Sequence, residues 1–165
     1  LKRRSLFIIM IAAIGATISG FFSQYVRPEK TLTTVTTSQP KFQRKKIANI
    51  SELQPDSYIV FNWPEEMDRY HVNILIRGRE GNGMGSRRDL YAYNLICTHQ
   101  QCPVEYNKKS SQLECPCHGS IFDPYNDAKV LSGPAKAPLA KIVVEEDDNG
   151  DIYAVDIIGE PGKGR

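Results

Sequence analysis

All four cysteines and two of the three histidines fall between positions 97 and 118. They form two boxes, Cys97-Thr98-His99-Gln100-Gln101-Cys102 and Cys115-Pro116-Cys117-His118-Gly119-Ser120, with twelve residues between them. Thiolates and neutral imidazoles are donors for zinc, iron and iron–sulfur centres. Each box offers a thiolate and an imidazole, so two short loops can clasp a compact inorganic centre with two Cys and two His. One Cys per box then remains, and closely placed loops allow these two to join in a disulfide, which typically stabilises by about 2–4 kcal/mol. A zinc site is the rival use of the same residues. Common zinc spacings pair two Cys two residues apart or two His three to five apart, which these boxes do not reproduce, and zinc would leave two Cys idle. Two plain disulfides would leave both His without a role. No Ser/His/Asp or Cys/His nucleophile set competes, because every Cys is already used.

The boxes need a rigid frame, and the sequence around them reads as short strands. Ser57 to Trp63 is apolar and β-branched and stops at Pro64; Tyr70 to Arg77 alternates and ends at Gly78; Asp89 to Ile96 leads directly into Cys97. Lys129 to Leu131 precedes a Ser132-Gly133-Pro134 turn. Leu139 to Val144 and Asp151 to Ile157 form an expected hairpin about Asn149-Gly150. The Gly-rich stretch 78–88 lacks the Lys-Ser/Thr ending of a phosphate loop and reads as a hairpin loop. His71 is expected to be an ordinary surface or core histidine, and Trp63 a packing residue. The expected fold class is an all-β head, a small sandwich or barrel carrying two cluster-binding loops.

Before this head, Leu6 to Val26 runs 21 residues without a charge. At about 1.5 Å per residue it is long enough for a hydrocarbon core of about 30 Å. Lys2, Arg3 and Arg4 precede it, which places the N-terminus inside and the head outside. The Arg3-Arg4 pair also fits a twin-arginine export signal. The stretch is long for a cleaved signal and ends in a poor cleavage site, so a retained transmembrane helix is expected. Residues 27–46 are polar, Thr-rich and Pro-marked, as a hinge linker would be. The expected division is an anchor over 1–26, a linker over 27–46 and the head over 47–165. A net charge of +2, from 21 basic and 19 acidic residues, with no basic stripe interleaved with aromatics, gives no reason to invoke nucleic acid. The basic run at 41–46 and the acidic run at 145–148 both read as solvated surface.

The two boxes resemble the C-T-H-x-x-C and C-P-C-H-G-S motifs of Rieske proteins of the cytochrome bc and b6f type. The resemblance extends to the anchor, the hinge, the all-β head and the Gly-Pro turn. It implies one [2Fe–2S] cluster per chain, with Cys97 and Cys115 on one iron and His99 and His118 on the other. It also implies a Cys102–Cys117 disulfide, a hydrogen bond from Ser120 to a bridging sulfide, and a covering loop through Gly133 and Pro134. Rieske centres as a class lie at about −150 to +300 mV, because neutral imidazoles replace anionic thiolates on one iron. By the same resemblance, His118 contacts a quinol hydroxyl, and electron and proton uptake are coupled. The partners implied are quinol, a cytochrome b-type membrane subunit and a cytochrome c-type or other high-potential acceptor. The site implied is the outer face of a prokaryotic plasma membrane.

Two positions depart from that pattern. Phe122 stands where bc-type relatives often carry a Tyr that bonds a ligand sulfur, and fewer such bonds imply a lower potential. Gln100-Gln101 stands where Leu-Gly is usual, making the docking surface more polar. An alternative is the small Rieske subunit of an arsenite-oxidase-type periplasmic molybdoenzyme, a group that also carries the Phe. A ferredoxin partner of a ring-hydroxylating oxygenase fits less well, since that group generally lacks Cys102, Cys117 and the anchor.

Overall fold

A computed structural model describes residues 41–65, 68–78 and 89–163. The chain divides into two compact units, Leu1–Ser38 and Gln39–Arg165, and every described residue belongs to the second. The expected transmembrane helix, most of the linker and most of the Gly-rich loop therefore lie outside the described residues. Among the described residues, no helix is long and apolar enough to cross a membrane.

Among the described residues, ten strands build the head. They are β1 Lys45–Asn49, β2 Ser57–Asn62, β3 Val72–Arg77, β4 Leu90–Asn94, β5 Glu105–Asn107, β6 Gln112–Cys115, β7 Ser120–Asp123, β8 Lys129–Ser132, β9 Lys141–Glu146 and β10 Asp151–Ile158. A 3-10 turn, Arg69–His71, precedes β3. One antiparallel sheet has the order β1-β10-β9-β4-β3-β2, and a second has the order β5-β6-β7-β8. The smaller sheet is thus inserted between β4 and β9. Both boxes flank it: the first leaves β4, and the second joins β6 to β7.

Side chains alternate across a pleated strand, and here both faces are buried. Ile74, Ile76, Tyr91 and Tyr93 point to a core shared with Cys97, Cys115 and Phe122. Leu75, Leu90 and Ala92 point the other way, to Trp63, Ile142, Val144 and Ile152. That second core also receives Ile47 from β1 and Ile59 and Phe61 from β2. β1 and β2 are the two edges of the sheet, so the sheet curls on itself into a near-barrel. The Lys45 ammonium closes the gap by donating to the Asn62 carbonyl at 3.1 Å.

β1 starts two residues before the expected head boundary at 47, and residues just ahead of it are packed. The Phe42 ring meets Trp63 edge-on at 5.2 Å, and the Trp63 indole donates to the Gln43 carbonyl at 2.8 Å. The basic and acidic runs, both expected as solvated surface, touch at Arg44 and Glu145, while Lys46 pairs with Asp151 of β10. Arg44 lies 3.9 Å from Glu145 and Lys46 lies 2.7 Å from Asp151. The hydrogen bond between Lys46 and Asp151 holds the carboxyl below its usual range and raises the ammonium. The Arg44 pair is exposed on both sides and the Lys46 pair on its lysine side, so both contribute little to stability.

The expected Asn-Gly turn closes as a longer loop. Gly150 N–H donates to Asp147 at 2.9 Å and Asp147 N–H donates to Asp151 at 3.0 Å, with Gly150 at φ +77. That is the three-residue pattern in which a left-handed residue follows a tight turn.

Two buried amides fix the exit of β4 toward Cys97. Asn94 Nδ2 donates to the Tyr70 carbonyl at 2.7 Å and to Asn73 Oδ1 at 3.0 Å, and its Oδ1 accepts from Ile96 N–H at 3.1 Å. Asn73 Nδ2 in turn donates to the Trp63 carbonyl at 2.8 Å. Removing one such amide strands several buried partners, each costing about 1–3 kcal/mol. Asn94→Ala is therefore expected to lower stability in chemical denaturation by about 2–3 kcal/mol. An unchanged midpoint would show that water replaces the amide.

Candidate metal centre

The first box is a tight turn on the end of β4. Gln101 N–H donates to the Cys97 carbonyl at 2.9 Å, and Cys97 N–H donates to the Cys102 carbonyl at 2.8 Å. The second box turns between β6 and β7, with Gly119 N–H on the Cys115 carbonyl at 3.0 Å and Gly119 at φ +73. The bridge between Ile96 and Pro103 closes the base of the first loop.

The two loops are bonded to each other. Cys102 and Cys117 form a disulfide with Cα atoms 6.4 Å apart, as the resemblance implied. The Sγ atoms of Cys102, Cys115 and Cys117 lie within 4.8 Å of one another. Two of those sulfurs are consumed in the disulfide, so the group is not itself a thiolate site. The cysteines left free are Cys97 and Cys115.

The remaining donors are segregated. Cys97 and Cys115 are buried, 1% and 2% exposed. Cys97 lies beside Cys115, and the backbone N–H groups of Cys117 and His118 are also near its sulfur. Burial pushes the Cys115 thiol up, those N–H groups oppose the rise, and Cys97 adds to it. On the outer side the His99 and His118 rings meet edge-on, with centroids 4.8 Å apart. His118 is exposed and His99 half-buried. His99 Nδ1 is buried and has no hydrogen-bond partner. A buried imidazole nitrogen without a partner is costly unless it serves as a ligand. Two dry thiols behind two surface imidazoles fit a centre with one sulfur-bound and one nitrogen-bound metal. They fit a single tetrahedral ion less well.

A third loop, from Ser132 to Leu139, closes over both boxes. A Cβ on Gly133 would lie 2.4 Å from Ser120 Cα and 2.6 Å from the Gly119 carbonyl, so only glycine permits this approach. Pro134 follows, and Ala135 N–H donates to Ser120 Oγ at 3.1 Å. Because Ser120 Oγ accepts there, its own hydrogen points elsewhere. Thr98 Oγ1 donates to the Ala137 carbonyl at 2.6 Å and is itself buried. Sequence reasoning passed over Thr98; a small hydroxyl between a Cys and a His was the available signal. Phe122 is fully buried in the same core as Cys97 and Cys115, opposite Leu113 and Val130.

A second group of donors, Glu65, Asp68 and His71, has atoms within 4.8 Å. His71 Nδ1 lies 3.3 Å from Asp68 and, like His99 Nδ1, is buried without a hydrogen-bond partner.

Comparison with known proteins agrees with this geometry. Residues 43–143 match the family model described as the Rieske [2Fe-2S] domain. The chloroplastic cytochrome b6-f complex iron-sulfur subunit of Bigelowiella natans is 45% identical over 85 residues, covering 47% of this chain and 32% of that protein. An iodate reductase subunit of Pseudomonas sp. (strain SCT) is 32% identical over 121 residues, covering 72% of this chain and 62% of that protein. The chain thus spans less than two thirds of either relative. The soluble domain of Rieske protein II from Sulfolobus acidocaldarius superposes with a TM-score of 0.60 at 24% identity, covering 75% of this chain and 84% of that one. At that identity the superposition speaks for the fold.

The disulfide closes a separation of 15 residues, for which loop-closure entropy is worth about 3 kcal/mol. Replacing both Cys102 and Cys117 by Ala is expected to free the boxes and accelerate loss of iron and sulfide several-fold. Iron retention equal to wild type would show that the covering loop alone suffices.

Proposed function

Because the chain belongs to the Rieske [2Fe-2S] domain family, we propose that it is the electron-carrying subunit of a quinol-oxidising, cytochrome bc-type complex, with Cys97, His99, Cys115 and His118 as cluster ligands. The family assigns it one [2Fe–2S] cluster and electron transfer. The observation that carries the reading is the polarity of the site: two buried thiols inside, and two imidazoles in contact at the surface. When bound, the cluster supplies a one-electron couple whose potential rises with imidazole ligation and with hydrogen bonds to sulfur.

The chain's own residues do the rest. Backbone N–H groups of Cys117 and His118 steady the Cys115 sulfur. Ser120 is held by Ala135 N–H with its hydrogen free to donate toward a bridging sulfide. The exposed His118 is the contact for a quinol hydroxyl. The disulfide and the Gly133–Pro134 loop keep the inner side dry, and a dry surrounding strengthens every charge interaction there. Outside the described residues, the reading keeps a retained anchor over 1–26 with the N-terminus inside, and a hinge over 27–46 that carries the head between quinol and acceptor. The partners proposed are a cytochrome b-type subunit and a cytochrome c-type or other acceptor. The chain alone does not turn over substrate.

A second reading makes the same head the small subunit of a large periplasmic oxidoreductase of the arsenite-oxidase type. The match to the iodate reductase subunit, over 72% of the chain, favours it. Purifying the tagged full chain from its native membranes separates the two. A co-purifying b-type cytochrome is the expected result. A large molybdopterin subunit in its place would overturn the bc-type reading.

Phe122 bears on the quinol. Its ring is fully buried and donates no hydrogen bond to a ligand sulfur, so the reading places the potential below that of Tyr-bearing relatives and suits a low-potential quinol. Phe122→Tyr is expected to raise the midpoint potential by tens of millivolts in an equilibrium titration. No upward shift would remove this explanation.

A further inference from the structure

We propose that Gln101 is a positioning residue for the first cluster loop, and that the C-terminal segment from Gly159 to Lys163 acts as a strap holding it. The inference rests on the cluster reading above. It starts from a backbone outlier. Gln101 sits at φ +59, in the left-handed region that glycine enters freely and other residues enter at a cost. Such a residue persists only when its surroundings over-determine it. The surroundings here act from two sides.

On one side, Gln101 Oε1 accepts from the Tyr70 hydroxyl at 3.3 Å. Tyr70 is fixed in turn: its carbonyl accepts from the buried Asn94 amide at 2.7 Å, and the Arg69 guanidinium lies 4.6 Å from its ring centroid. On the other side stands Gly162. A Cβ there would lie 2.9 Å from Gln101 Cγ and 2.7 Å from Ile96 Cγ2. The strap backbone therefore presses directly on the Gln101 stem and on the residue before Cys97. The strap is itself built. Gly159, at φ +93, turns the chain off β10 against Ala140, and Lys163 N–H closes on the Glu160 carbonyl at 3.1 Å.

The backbone of Gln101 is the hinge-pin of the first box, since its N–H bonds the Cys97 carbonyl. Holding Gln101 between Tyr70 and Gly162 fixes the turn that presents His99, two residues earlier. β10 lies in the six-stranded sheet, so the strap ties that sheet directly to the imidazole side of the site. A glycine at 101 would relieve the backbone but offer nothing for Tyr70 or Gly162 to hold.

The test uses the cluster-loaded full chain as wild type, Gln101→Gly, Gly162→Ala and the double variant. The readouts are the g-values of the reduced state by EPR and the rate of cluster loss. Each single variant is expected to shift the g-values and to speed cluster loss several-fold. The double variant is expected to show no more than the larger single effect, because both changes break one clamp. Wild-type g-values and loss rates in Gln101→Gly, or additive effects in the double variant, overturn the strap. If Gly162→Ala fails to fold, Gln101→Gly decides alone, since it relieves strain. Absence of any [2Fe–2S] signal in wild type would instead sink the cluster reading.

Discussion

The bond between Cys102 and Cys117 is the constraint on which the rest of the site depends. Each box is a short turn, and a short turn alone cannot hold an imidazole and a thiol in register with a second turn elsewhere in the chain. The covalent tie removes that freedom and brings the His99 and His118 rings together at 4.8 Å. Cys97 and Cys115 remain behind them in the dry core. The tie leaves these two as the unspent thiols, so one bond settles both the spacing of the loops and the identity of the free sulfurs.

The two sheets give that arrangement its base. The near-barrel supplies β4, whose exit is locked by Asn73 and Asn94. The four-stranded sheet supplies the β6–β7 turn that carries the second box. The covering loop then returns from β8 and bonds both boxes, through Thr98 and Ser120. One face of the site is therefore packed protein and the other is histidine. That division serves electron transfer: the buried side limits reorganisation of solvent, and the other side reaches the surface at His118.

Much of this was legible in the sequence, for physical reasons that differ by element. β2, β3, β9 and β10 show because apolar residues alternate or run together and a nearby Pro or Gly ends them, and β4 shows as an apolar run into Cys97. β5, β6 and β7 do not, since they are only three or four residues long, too short for their alternation to stand out beside the second box. The boxes are legible because Cys and His seldom cluster without chemistry, and their pairing followed from the family resemblance. The charge runs lie at the surface as expected, but the pairing of Arg44 with Glu145 is not legible, because the two sit about a hundred residues apart. The ties from Thr98 to Ala137 and from Ala135 to Ser120 were hidden for the same reason, as was the left-handed Gln101. Each depends on where a distant segment returns, which local pattern does not encode.

The central claim is mixed ligation by two Cys and two His, and pulsed EPR of the reduced full chain tests it most directly. The account predicts an average g below that of all-cysteine [2Fe–2S] centres, with two distinct nitrogen couplings, one lost in His99→Cys and the other in His118→Cys. A reduced-state signal without nitrogen coupling, or metal-loaded protein with no paramagnetic signal in either redox state, would contradict it.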